Sequence, residues 1–210
     1  MAAMSTHPLV VDIVVYDGVD EIDAIGPLEV LRSAGHLGAP ITARLVTHDA
    51  RQAVTGAFGL RFEPDGPYVP GAADITIATG GGWATRQELG AWGEVQRGDW
   101  LPLLAATHRH GRTLAAVCTG TMLLAHAGVI GRRPATTHHR ARIDLAATGA
   151  DVRTDRVVDD GDLVTSGGVT SGLDLALHLV AREVSADIAR RVAERMEYRA
   201  PTDLALPAAS

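Results

Sequence analysis

The chain has one cysteine, Cys118, in the segment "LAAVCTGTMLLAHAG" (114–128). A lone cysteine of this kind is either a small buried apolar residue or a nucleophile. Small residues surround it in the order Ala-Val-Cys-Thr-Gly, which is typical of a nucleophile elbow, a strand-to-helix turn too sharp for large neighbours. The N-terminus of the following helix should lower the pKa of the thiol. Local context alone supports the two interpretations equally.

Two further stretches follow predicted strands in the same way as Cys118. Asp23 lies in the loop-to-helix region after the first strand, and the glycines 80–82 follow the apolar run "ITIAT". Active crevices of open α/β sheets lie beyond the carboxyl ends of the strands, so we expect the three stretches to converge. The glycines form either a simple flexible turn or a close backbone approach that aims an N–H at an anion on the substrate.

Alternating strands and helices must position these residues. The β-branched run "LVVDIVVY" (9–16) is typical of a strand buried on both faces, and Asp160-Gly161 between two β-branched runs predicts a hairpin. Pro27 suits the first turn of the first helix. The pattern predicts an α/β fold with a doubly wound, mostly parallel, flavodoxin-like sheet flanked by helices. Other predicted strands are 41–48, 75–79 and 113–117, and a small antiparallel excursion occupies 52–65. Residues 17–35 hold a turn and then the first helix, and the later helices are 99–111, 119–131, 140–149, 170–184 and 186–199.

Length and composition limit the possible classes of protein. The 210 residues suit one domain, 1–210, with a core of about 8–198 and a loose tail at 199–210. A net charge of -6 gives no electrostatic footprint for nucleic-acid binding, and one cysteine excludes an intrachain disulfide. The first residues lack a basic signal-peptide region, and no apolar run approaches the ~20 residues of a membrane span. We therefore expect a cytoplasmic protein that binds neither membrane nor nucleic acid.

Four segments of the chain together resemble the ThiJ/PfpI superfamily, whose fold is that of class I glutamine amidotransferases. They are "VYDGVDEIDAIGPLEVL", "ATGGGWAT", "AAVCTGTMLLAHAGVIGRRPATTHH" and "VTSGGVTSGLDLALHLV". The resemblance runs from about Val10 to Tyr198. Within the superfamily, the sequence is most similar to the isonitrile hydratase branch and to the sensor domains of certain transcription regulators.

The resemblance implies a role for each matching residue. Cys118 becomes the nucleophile, and Asp23 hydrogen-bonds it and acts as proton donor and acceptor. The backbone N–H of Thr119 becomes an anion-stabilising donor, and its hydroxyl holds Asp23 or a water. His138 matches the family histidine, whose catalytic role in the hydratase branch is open. The expected substrate-binding residues are Gly81, Gly82 and His138, with an N–H of Gly81 as a second anion donor.

This chain also departs from the family pattern. Many members place a glutamate beside the cysteine, but the hydratase branch uses aspartate; Glu21 and Glu29 are near in sequence, and Asp23 is the residue that matches. Thr79 replaces the usual proline before the double glycine, and His139 replaces a frequent tryptophan. Both changes should alter the polarity of the pocket and so the choice of substrate.

The resulting hypothesis is a hydratase that converts an isonitrile into an N-substituted formamide without metal or redox cofactor. Asp23 supplies the proton as the cysteine forms a thioimidate, and the same carboxyl then activates the water that releases the product. A glyoxalase, deglycase or amidase acting on small carbonyl compounds is one alternative, although such members usually rely on glutamate. A ligand or redox sensor without turnover is another. Only about a dozen residues follow Tyr198, where transcriptional relatives carry a helix-turn-helix region, which disfavours DNA binding. The resemblance also implies a homodimer.

Overall fold

The fold is that of a computed structural model, which describes residues 7–199. From Ala200 on, the predicted tail lies outside the described residues. The strands are β1 (Leu9–Val14), β2 (Ile41–Thr47), β3 (Val54–Thr55), β4 (Arg61–Phe62), β5 (Gly66–Pro67), β6 (Ile75–Ala78), β7 (Thr113–Ala116), β8 (Pro134–Ala135), β9 (Asp151–Val152), β10 (Val157–Asp159) and β11 (Leu163–Ser166). The α-helices are α1 (Glu21–His36), α2 (Ala91–Arg97), α3 (Trp100–Arg109), α4 (Gly120–His126), α5 (Arg142–Ala147), α6 (Ser171–Glu183) and α7 (Ala186–Arg195), and a 3₁₀ turn spans His139–Ala141.

A seven-stranded sheet, in the order β5-β2-β1-β6-β7-β11-β10, forms the centre of the fold. All neighbouring strands are parallel except β10 and β11, which form the predicted antiparallel hairpin. After β1 the chain continues to β2 on one side and then to β6 on the other, so the strand order reverses between β1 and β6. This is the flavodoxin-like arrangement predicted from the sequence, and its switch point is where such folds place their sites.

Helices cover the sheet in two groups. α1, α6 and α7 pack on one another, and α2, α3 and α4 form a second group. Every residue of β6 and of β11 is buried, as expected for strands covered on both faces. No helix within residues 7–199 is long and apolar enough to cross a bilayer.

Two local features differ from the prediction. The helix α2 was not predicted, because the residues Gly90, Gly93 and Gly98 bound or interrupt it. α1 begins at Glu21, so Pro27 is not in its first turn but seven residues into the helix. Since proline has no N–H, the carbonyl of Asp23, four residues earlier, lacks the bond that an α-helix would give it.

Candidate active site

Cys118 lies at a sharp turn between β7 and α4. Its φ angle is 57°, a left-handed conformation that costs a residue with a Cβ roughly 1–2 kcal/mol. The turn is held on both sides, because the Cys118 N–H donates to the carbonyl of Gly167 (2.9 Å) and the Thr137 hydroxyl donates to the Cys118 carbonyl (2.8 Å). A strained backbone of this kind persists only when its surroundings enforce it.

Close backbone packing explains the small residues around the cysteine. A Cβ on Gly120 would lie 2.1 Å from the carbonyl oxygen of Ala78, so only glycine fits where α4 meets the end of β6. A Cβ on Gly80 would lie 2.5 Å from the backbone nitrogen of Thr119. The predicted elbow is confirmed, and so is the close backbone approach of the glycines, although the N–H groups of Gly80 and Gly81 donate to Asp23 and Thr119.

Asp23 is buried on the first turn of α1, beside this elbow. Its Oδ2 accepts the N–H of Gly80 at 3.0 Å, while Oδ1 is buried and accepts no N–H or O–H from the described residues. Burial, with the charge of Asp20, raises the pKa of Asp23 well above its usual range, and hydrogen bonds from Gly80 and from the Cys118 thiol partly offset the rise. The side chains of Asp23 and Cys118 are therefore close enough for each to shift the pKa of the other.

The thiol of Cys118 has a raised pKa, contrary to the lowered value expected from the helix terminus. Burial is the largest cause, and the negative charge of Asp23 adds to it. The backbone N–H groups of Val169 and Thr119 act in the opposite direction but do not reverse the shift. The expectation was wrong because desolvation of the thiolate outweighs the donors that a short helix provides.

Thr119 and Gly81 bind each other. The N–H of Gly81 donates to the Thr119 hydroxyl oxygen at 2.9 Å. This N–H does not stand free as the anion donor that the resemblance implied, and among the described residues the Thr119 hydroxyl makes no hydrogen bond to Asp23. The backbone N–H groups of Thr119 and Val169 both lower the pKa of the thiol, and the sequence did not indicate Val169.

A small pocket of 190 Å³ opens onto the cysteine. The predicted residues Gly81, Gly82, Cys118, Thr119 and His138 all line it. Residues that the sequence did not single out contribute as well: Asp20, Arg140 and Val169. Asp23, in contrast, does not line the pocket, because it is fully buried.

His138 forms a wall of this pocket. Its Nδ1 accepts the N–H of Arg140 at 3.3 Å, and its ring stacks on that of His139 with centroids 4.3 Å apart. Burial, followed by His139, Arg140 and Arg142, lowers the pKa of His138, which favours a neutral ring with its proton on Nε2. Among the described residues, His138 makes no hydrogen bond to Cys118.

The two residues that depart from the family pattern, Thr79 and His139, lie in different surroundings. The Thr79 hydroxyl donates to the carbonyl of Val14 at 2.5 Å, and the Thr79 carbonyl accepts the hydroxyl of Tyr16. Thr79 therefore binds the neighbouring strand and does not add polarity to the pocket. His139 is exposed and is in contact with His138.

Trp83 fixes the loop on the far side of the pocket. Its side chain is buried, and its Nε1 donates to Asp144 Oδ2 at 2.7 Å. Arg86 binds the same oxygen at 2.8 Å and lies over the ring of Trp92, 4.0 Å from its centroid. The link from this loop to α5 through Asp144 had no signal in the sequence, because the partners are 61 residues apart.

The other acidic residues near Asp23 in sequence have separate partners. Glu21 Oε1 accepts the N–H of Phe58 at 2.7 Å, and Glu29 pairs with Arg195 at 3.1 Å. Asp23 is thus the carboxyl that α1 places beside the cysteine. Within residues 7–199, no three His, Cys, Asp or Glu side chains form a group that would hold a metal ion.

The model of the DJ-1/PfpI family matches residues 10–182, most of the chain. The chain belongs to the DJ-1/PfpI family. An isonitrile hydratase of Pseudomonas putida is 32% identical over 192 residues, which cover 90% of this chain and 78% of the relative. The HTH-type transcriptional regulator GbdR of Pseudomonas aeruginosa is 29% identical over 91% of this chain, which spans 51% of that protein. The crystal structure of a ThiJ/PfpI family protein from Pseudomonas syringae superposes with a TM-score of 0.81 at 26% identity, covering 96% of this chain and 82% of the other.

Proposed function

We propose that this member of the DJ-1/PfpI family is a cysteine-dependent isonitrile hydratase, a lyase that converts R–N≡C and water into R–NH–CHO. The observation that carries the proposal is a buried carboxyl beside the thiol of Cys118 at a strained elbow. That carboxyl belongs to an aspartate, Asp23, and not to a glutamate. A nucleophile in contact with an acid is what addition across an isonitrile carbon requires. The similarity to the Pseudomonas putida isonitrile hydratase supports the same reaction.

The first half-reaction follows from the state of the pair. The raised pKa of Cys118 keeps the proton on sulfur at neutral pH. As the sulfur attacks the terminal carbon, that proton moves through the Asp23 carboxyl to the same carbon. The product is a thioimidate, R–N=CH–S–Cys, with the carboxylate of Asp23 restored. This half-reaction needs no redox cofactor.

The second half-reaction consumes water. Its oxygen adds to the thioimidate carbon, one of its protons reaches the nitrogen, and the carbon–sulfur bond then breaks as the formamide carbonyl forms. The remaining hydroxyl proton returns to sulfur. The thiolate that leaves is adjacent to the N–H groups of Val169 and Thr119, which stabilise negative charge there.

The pocket limits which substrates reach Cys118. A volume of 190 Å³ is below the roughly 300–1,000 Å³ typical of sites for drug-sized ligands, so the proposed substrate is a small isonitrile or one whose R group extends outward. The wall formed by Trp83 and His138 is positioned to contact that R group.

The test is loss of an aryl isonitrile, followed by ultraviolet absorbance, with the formamide identified by mass. The wild type is compared with Cys118→Ala and with Glu29→Gln, a surface carboxyl paired with Arg195 and remote from the pocket. Turnover by the wild type and Glu29→Gln but not by Cys118→Ala supports the proposal. A wild type inactive on alkyl and aryl isonitriles alike contradicts it, and small dicarbonyls and amides are then assayed.

A ligand sensor is the second candidate, favoured by the similarity to GbdR over 91% of this chain. The same pocket would then bind a small molecule without consuming it. Calorimetric binding of an isonitrile by Cys118→Ala, together with an inactive wild type, would favour this function over catalysis.

A further inference from the structure

The burial of Asp23 leaves the second half-reaction without an accessible base. Asp23 has no exposed surface and does not line the pocket that Cys118 shares with solvent. It is positioned to transfer the thiol proton, because it contacts the thiol. A water molecule that enters from solvent, however, approaches the thioimidate carbon through the pocket, which Asp23 does not line.

Asp20 is the carboxyl that faces this pocket. It is half-buried, lines the cavity together with Cys118, and directly precedes α1. Its Oδ1 accepts the N–H of Ile22 at a long 3.3 Å, and among the described residues this is the one hydrogen bond of its side chain. Oδ2 is left for a water molecule. The backbone N–H of Asp20 donates to the carbonyl of Gly80 (2.9 Å), which fixes the residue against the glycine loop.

The electrostatics agree with this placement. The charge of Asp20 raises the pKa of Asp23, as the second cause after burial, and to a smaller extent that of Cys118, with which it shares the pocket. Its own pKa is raised, mainly by burial, and the N–H of Ile22 partly offsets the rise. A carboxylate with a modestly raised pKa is a stronger base than a solvated one.

We propose that Asp20 is the general base of the second half-reaction, whereas Asp23 serves the first. Asp20 takes a proton from water as the oxygen bonds to the thioimidate carbon, and it gives this proton to the nitrogen as the C=N π bond breaks. When the carbon–sulfur bond breaks, Asp20 accepts the hydroxyl proton and passes it through solvent to the sulfur. Water and isonitrile are the only reactants. This inference rests on the proposed hydratase function, and it divides between two carboxyls the work that the resemblance assigned to Asp23.

The test separates the two half-reactions by intact-protein mass spectrometry in the presence of a simple alkyl isonitrile. We expect Asp20→Asn to form the thioimidate, seen as a mass increase of one isonitrile, and to hydrolyse it about 100-fold more slowly than the wild type, as for loss of a general base. The adduct therefore accumulates. Asp23→Asn forms no adduct. Asparagine is as good as aspartate at a helix N-cap, so α1 remains capped.

Controls distinguish the possible failures. Asp20→Ser also retains a capping side chain but cannot act as a carboxylate base, and it should accumulate the adduct like Asp20→Asn. Glu29→Gln should behave like the wild type. If the wild type is active and Asp20→Asn turns over equally fast without an adduct, the role of Asp20 is wrong while the hydratase function stands. If the wild type forms neither adduct nor product, the proposed function and the role of Asp20 fail together.

Discussion

Burial and the neighbouring Asp23 carboxylate together raise the pKa of the Cys118 thiol. The thiol in turn lowers the pKa of that carboxyl, against the larger effect of burial. The thiol is therefore protonated at neutral pH, with the Asp23 carboxyl close beside it. In the proposed hydratase reaction, Cys118 is therefore activated as its proton moves to Asp23, and not beforehand by a low pKa.

This relationship predicts that Asp23→Asn changes hydratase activity and thiol reactivity in opposite directions. The amide cannot carry the proton, so turnover should fall by about 100-fold or more. Loss of the negative charge should lower the pKa of Cys118, so alkylation by iodoacetamide at mildly alkaline pH should become several-fold faster. The measurements are steady-state turnover and alkylation followed by intact mass.

The matched control for Asp23→Asn is Glu29→Gln, which changes the same charge on the same helix away from the thiol. It should leave both rates unchanged. Slower alkylation of Asp23→Asn would contradict the assigned electrostatics, and undiminished turnover would contradict the role of Asp23 as proton carrier.

The raised pKa of Cys118 also predicts how stability depends on pH. The thiol has an ordinary pKa of 9.0 when unfolded and a higher one when folded, so its contribution is fully present below pH 9.0 and lost as pH rises further. Between about pH 9 and the folded pKa, the wild type should lose up to about 1.4 kcal/mol per pH unit that Cys118→Ala does not lose. The measurement is urea unfolding of both proteins at about pH 8 and pH 10.

Because the chain has a single cysteine, the difference between the two unfolding curves reports on this thiol alone. Parallel loss of stability in wild type and Cys118→Ala across that range would show that the folded thiol ionises as easily as an unfolded one.

The sequence predicted the features that depend on local order along the chain. The β-branched runs, the Asp160-Gly161 hairpin and the small residues around Cys118 each carry their signal within a few residues, and the structure confirms them. The raised thiol pKa was not predictable, because it arises from burial beneath elements remote in sequence. The effect of the Val169 N–H on the thiol was not predictable for the same reason, because Val169 comes near Cys118 only when β11 pairs with β7. Motif patterns indicate candidate reactive side chains, and tertiary packing decides their protonation.

The tight contact at the elbow predicts that Gly120→Ala destabilises the fold. The added methyl would lie 2.1 Å from the carbonyl oxygen of Ala78, a rigid backbone atom of the central sheet. We expect the free energy of unfolding to fall by about 1–3 kcal/mol or more, as in overpacked cores. The measurement is denaturant unfolding monitored by circular dichroism.

Gly26→Ala is the matched control for Gly120→Ala. Gly26 lies within α1, and a Cβ there would meet Leu173 at an ordinary 3.4 Å. Alanine favours the helix over glycine by roughly 0.5–1 kcal/mol, so this variant should be as stable as the wild type or more stable. Equal destabilisation of the two variants would mean that Gly120 is not specially constrained.

The hydrogen bond from Trp83 to Asp144 predicts that a residue outside the pocket controls substrate binding. Asp144→Ala leaves the buried Trp83 Nε1 without an acceptor, which costs about 1–3 kcal/mol and frees the loop that carries Trp83. Because Trp83 lines the pocket and has no role in the proposed proton transfers, KM for an isonitrile should rise several-fold while kcat changes little. Asp144→Asn keeps an acceptor oxygen for Trp83 and should restore most of the affinity although it loses the ion pair with Arg86. If Asp144→Asn raises KM as much as Asp144→Ala, the ion pair and not the hydrogen bond holds the loop.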